Sequence, residues 1–95
     1  MSNQPEWQIH STVAFQWVEN GFFVITSDNA LHQLQDPVSV MLWEKLDEGV
    51  SKLDELVSCI CSEFSVNEED ARRDIQEFLD VGVERELIAQ KGSGS

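Results

Sequence analysis

The chain has 95 residues, with 18 acidic against 6 basic side chains and a formal net charge of −12. That length supports one small domain with a single modest core, not a deep catalytic cleft with its own supporting layers. The acidity argues against unaided binding to nucleic acid or anionic lipid, both of which reward clustered Lys and Arg.

No apolar run approaches the roughly 18 residues of a membrane-spanning helix. The opening MSNQPEWQIH has neither the basic region nor the apolar stretch of a signal peptide, so a cytoplasmic protein is expected. Cys59 and Cys61 suit a reducing compartment. Two residues apart on a helix they point about 200° away from each other, and neither belongs to a four-ligand metal pattern. Residues 1–7 read as a flexible N-terminus in which Trp7 is the first side chain to pack, residues 8–90 as the folded domain, and residues 91–95 (KGSGS) as a flexible tail or expression remnant.

In chain order, Val13, Phe15 and Trp17 alternate with polar neighbours as in a half-buried strand. Asn20-Gly21 is a strong hairpin signal, because both residues tolerate positive φ. FFVIT (Phe22–Thr26) returns as a second strand rich in aromatic and β-branched residues. Ser27-Asp28-Asn29 forms the next turn and delivers Ala30–Leu34 as a third strand. Asp36 then stands as a helix N-cap with Pro37 at the first helical position, and the apolar period changes from two to about 3.6. The first helix, about Pro37–Asp47, closes at Gly49. The second starts at Ser51, whose spacing to Asp54 resembles a capping box, and carries the stripe Leu53, Leu56, Val57, Ile60 and Phe64. The third starts at Asn67, followed by three acids that suit the positive end of the helix dipole. Its expected inward face is Ala71, Ile75, Phe78, Leu79 and Val83 or Gly82, with Gly82 a mild break. Leu87-Ile88-Ala89 either adds a short closing strand or caps the core. Segregated strands and helices predict an α+β fold, winged-helix-like, with an N-terminal three-stranded antiparallel sheet followed by three helices.

Catalytic signals are weak. His10 and His32 are the only imidazoles, and neither sits in a metal motif. Glu68-Glu69-Asp70 is better explained as the acidic start of a helix than as a carboxylate site. Glycine-rich phosphate loops, nucleophile elbows and metal-ligand repeats are missing from the sequence. No enzyme activity and no cofactor are therefore expected. Binding is a better fit: an edge strand offers unpaired N–H and C=O groups to which an extended peptide can add.

Several residues carry a family resemblance, taken in order. Leu34-Gln35-Asp36 ends a strand, Leu42-Trp43 is an apolar-Trp pair on the first helix, and Asp47-Glu48-Gly49 is a turn. Val50–Leu56 opens the second helix, Asp74-Ile75 and Phe78-Leu79 lie on the last, and Leu87-Ile88 closes it. In this order the chain resembles the PqqD-like domains, the recognition elements for precursors of ribosomally synthesised and post-translationally modified peptides. Departures are Gln35 for the usual Asn or Asp, one extra residue between Leu34 and Trp43, Glu86 for a usual glycine, and Val83 for a second Leu.

The resemblance implies a non-catalytic protein that binds the leader region of a precursor peptide as an added strand, antiparallel to the third strand and against the third helix. It also implies presentation of the precursor to a separate modifying enzyme. Main-chain groups would come from Ala30, Leu31, His32, Gln33 and Leu34, and the helix wall from Arg72, Arg73, Ile75, Gln76 and Leu79. Arg72 and Arg73 either pair with leader acids or pair internally with Glu68 and Glu69. The alternatives are a structural adaptor or self-associating protein, and a winged-helix DNA-binding regulator. The acidic start of the third helix disfavours the regulator.

Overall fold

The computed structural model describes residues 5–91. Eight elements follow one another: β1 (Glu6–Ile9), β2 (Ala14–Val18), β3 (Gly21–Ile25), β4 (Leu31–Leu34), α1 (Pro37–Glu48), α2 (Leu53–Glu63), α3 (Glu68–Glu84) and β5 (Ile88–Lys91). The architecture is α+β. A three-stranded antiparallel meander, β2-β3-β4, precedes three helices, and β1 pairs antiparallel with β5 as a separate two-stranded sheet.

This small sheet revises the N-terminal expectation. Glu6 and Trp7 belong to a strand, with Trp7 only 4% exposed, because Ile88–Lys91 supplies the partner strand from the far end of the chain. Trp7 also donates its backbone N–H to the Ser51 carbonyl, which ties β1 to the entrance of α2. Residues 1–4 and 92–95, the outer parts of the expected flexible ends, lie outside the described residues.

The β2–β3 hairpin forms where expected, but its chemistry differs. Val18 pairs with Gly21, so the loop residues are Glu19 and Asn20, and the positive φ of 53° falls on Glu19. Gly21 is needed for close approach instead. A Cβ there would sit 2.1 Å from the Leu34 carbonyl oxygen of β4. The Ser27–Asn29 turn is held by the Asp28 carboxylate, which accepts from the Thr26 hydroxyl and from the Ala30 N–H. These two donors hold the Asp28 carboxyl below its ordinary pKa.

Asp36 caps α1 by accepting from Ser39 N–H at 3.0 Å, and Gly49 ends it in the left-handed region with φ 104°. Asn67 caps α3 by accepting from Glu69 N–H at 2.7 Å. At α2 the expected capping box is not used. Lys52 holds the cap position without a side-chain bond, and Ser51 Oγ donates to Glu6 at 2.9 Å instead. Tertiary pairing with β1 has taken the hydroxyl that a local motif would have used.

The core gathers Trp43, Leu42, Leu56, Ile60, Ile75, Leu79, Ile88 and Val24, all under 2% exposed. Phe15 and Phe22 approach the Trp43 ring from the sheet, Phe15 edge-on at 5.4 Å. Gly82 does not break α3, which runs on to Glu84. It is buried against Ile88, and a Cβ would meet the Ile88 Cδ1 at 2.5 Å. Gly82, not Val83, therefore completes the buried stripe of Ala71, Ile75 and Leu79.

Candidate functional site

An open groove lies between β4 and α3, floored by the start of α1. The strand contributes Leu31–Leu34, α1 contributes Val38, Leu42 and Trp43, and Leu87 and Ile88 close one side. The helix wall is Asp74, Glu77, Phe78, Val81, Gly82 and Arg85. These fall at i, i+3, i+4, i+7, i+8 and i+11, one continuous stripe of an α-helix.

That wall is not the one expected from sequence. Ile75 and Leu79 are fully buried and belong to the core, since their stripe faces the other helices. Arg72, Arg73 and Gln76 point to a different face, where Leu53, Glu69 and Asp80 are their neighbours. Arg72 is held by Asp54 at 2.8 Å and Glu68 at 3.4 Å, which raises its pKa above the ordinary arginine value. Arg73 pairs with Asp70 at 2.9 Å rather than with Glu69. The internal pairing reading therefore describes both arginines, with Asp70 replacing one of the expected partners. Reading α3 as one apolar stripe hid the groove residues, because Phe78 and Val81 continue the apolar surface one step around the helix from Ile75 and Leu79. The signal was present: an amphipathic helix with more apolar width than its core uses, leaving Val81 40% exposed.

β4 is the edge of the meander, with β3 on its only paired side among the described residues. Its backbone directions follow from the register. Thr26 N–H donates to the Ala30 carbonyl at 3.0 Å, and the Leu34 carbonyl lies against Gly21 and so against the Phe22 N–H side of β3. In an antiparallel pair, hydrogen-bonded and non-bonded positions alternate. Ala30, His32 and Leu34 therefore turn their main-chain groups toward β3. Leu31 and Gln33 turn theirs outward, to the open edge facing the groove. Of the five expected main-chain contributors, these two offer free N–H and C=O groups. Ala30 precedes β4 and serves the turn, its N–H occupied by Asp28.

The side chains alternate in the opposite sense. His32 and Leu34 lie opposite Val24 and Phe22 on the core side and are half-buried, while Leu31 is 62% exposed. An unpaired edge beside a partly apolar helix wall can accept one extended segment. The edge would supply two pairs of main-chain bonds, and the partly buried Val38 and Phe78 with the exposed Val81 would supply apolar contact.

The model of the family described as coenzyme PQQ synthesis protein D (PqqD) matches residues 32–88. That span covers more than half of the chain and includes most of β4, all three helices and the start of β5. Among solved structures, one described as TbiB1 in complex with the TbiA(beta) leader peptide is similar at 25% sequence identity and a TM-score of 0.80. The alignment covers 93% of this chain and 99% of that one. No curated protein sequence matches the chain.

Proposed function

We propose, from the premise that this chain belongs to the PqqD family, that it recognises the leader region of a ribosomally made precursor peptide. The leader adds as a strand to β4, antiparallel to it, and lays apolar side chains against Phe78 and Val81. Bound in this way, the precursor is presented to a separate modifying enzyme, and the chain itself contributes no catalytic group. The observation that carries this reading is the outward main chain of Leu31 and Gln33 on an edge strand, facing an open groove along α3. Its support outside the chain is the similar TbiB1, whose structure holds a leader peptide.

An amide NMR titration of the full chain with a leader peptide encoded beside its gene tests the reading. Expected are shifts centred on Leu31, Gln33, Phe78 and Val81, with little change at Arg72, Arg73 and Gln76. Shifts confined to the Arg72 face would refute the groove. Loss of concentration-independent mass in sedimentation, without any peptide effect, would favour the self-associating adaptor. No DNA-binding reading is favoured, since α3 opens Glu-Glu-Asp and its two leading arginines are already paired.

A further inference from the structure

The groove is charged unequally along its length. Asp74 shares an adjoining depression with Val38 of the first α1 turn, so Asp36 and Asp74 stand at the same end, by Leu34. Arg85 lies eleven residues further along α3, about 16 Å at 1.5 Å per residue, and so marks the opposite end. Glu77 sits between them on the same wall. His32 is the remaining titratable group lining the groove.

Arg85 also differs from the other arginines. Arg72 and Arg73 are taken up by Asp54, Glu68 and Asp70, whereas Arg85 is in no ion pair among the described residues. This holds although Glu84 and Glu86 are its chain neighbours and acids outnumber bases threefold. It is exposed at the C-cap of α3, where its guanidinium can meet a second charge from the groove.

Resting on the leader-binding reading above, we propose that Arg85 selects an acidic side chain of the bound peptide. The acid lies toward the C-terminal end of the bound segment. The N-terminal end, facing Asp36 and Asp74, is neutral or basic. The order follows from strand direction: a segment antiparallel to β4 enters beside Leu34 and leaves beside Leu31. At about 3.4 Å per residue, the two charge positions are about five peptide residues apart. A guanidinium presents paired donors that match a carboxylate, which gives geometric as well as charge selection. Complementary charge of this kind fixes register and direction more than it adds affinity.

The test is a displayed library of random dodecapeptides selected separately against the full wild-type chain and R85E. Wild type is expected to enrich Asp or Glu C-terminal to an apolar pair, with Lys or Arg tolerated about five residues before it. R85E is expected to enrich Lys or Arg at that C-terminal position, and to bind the wild-type winners about fivefold more weakly, as befits an exposed pair. Equal melting temperatures for the two chains would show that Arg85 is not acting merely as a helix-dipole complement. Winners that keep the same charges with R85E, yet lose binding to Q33P, overturn the Arg85 assignment and leave strand addition standing. Winners indifferent to Q33P, or no enrichment at all, overturn the groove reading and this proposal with it.

Discussion

Proline at two adjacent positions of β4 should have opposite consequences. His32 N–H faces β3 opposite Val24, which is fully buried. H32P therefore removes a ladder hydrogen bond and leaves the Val24 carbonyl without its donor in the sheet interior. A lost net hydrogen bond is about 1 kcal/mol, and a stranded buried acceptor adds about 1–3 kcal/mol. The sum, about 2–4 kcal/mol, lowers the melting temperature by roughly 10–25 °C for a domain of this size. Gln33 N–H faces the open edge, where proline is tolerated because no ladder bond is lost. Q33P should melt within about 5 °C of wild type, yet bind a leader peptide about tenfold more weakly through the missing donor and the ring at the edge. Circular-dichroism melts and fluorescence anisotropy with a labelled leader read the two quantities separately. If Q33P unfolds while H32P keeps its stability, the assigned alternation of β4 is wrong by one residue.

G21A should destabilise strongly, by about 3 kcal/mol or more in chemical denaturation, because a Cβ 2.1 Å from the Leu34 carbonyl can be relieved only by parting β3 from β4. A loss below about 1 kcal/mol would show that Gly21 serves only the turn. N67A should cost about 1 kcal/mol by removing the bonds to Glu69 and Asp70 N–H at the start of α3, measured by urea unfolding with an unchanged slope. Asp28, whose folded pKa is lowered by Thr26 and Ala30, contributes stability that is present above its unfolded value and is lost as pH falls through the folded one. D28N should therefore flatten the acid limb of the stability profile, and parallel acid limbs for the two chains would remove Asp28 as its cause.

Features that close over a few residues can be read from the amino-acid order alone. The order of the three meander strands, the two side-chain caps at Asp36 and Asn67 and the left-handed Gly49 each depend on neighbours within a turn. The Leu42-Trp43 pair and the 3.6-residue stripe of α3 were equally legible, because helical periodicity is a local signal. Tertiary structure decided which of two adjoining apolar stripes on α3 is core. Ile75 and Leu79 are fully buried in the shared core, whereas Phe78 and Val81 line the groove beside β4. It also recruited Trp7 into a strand, since the partner at Ile88–Lys91 lies some eighty residues away in the chain, and turned Ser51 from a helix cap into a ligand for Glu6. The outward direction of Leu31 and Gln33 likewise comes from the register with β3. Side-chain alternation can be read along one strand, but which main-chain groups are left free is settled only by the strand that pairs with it.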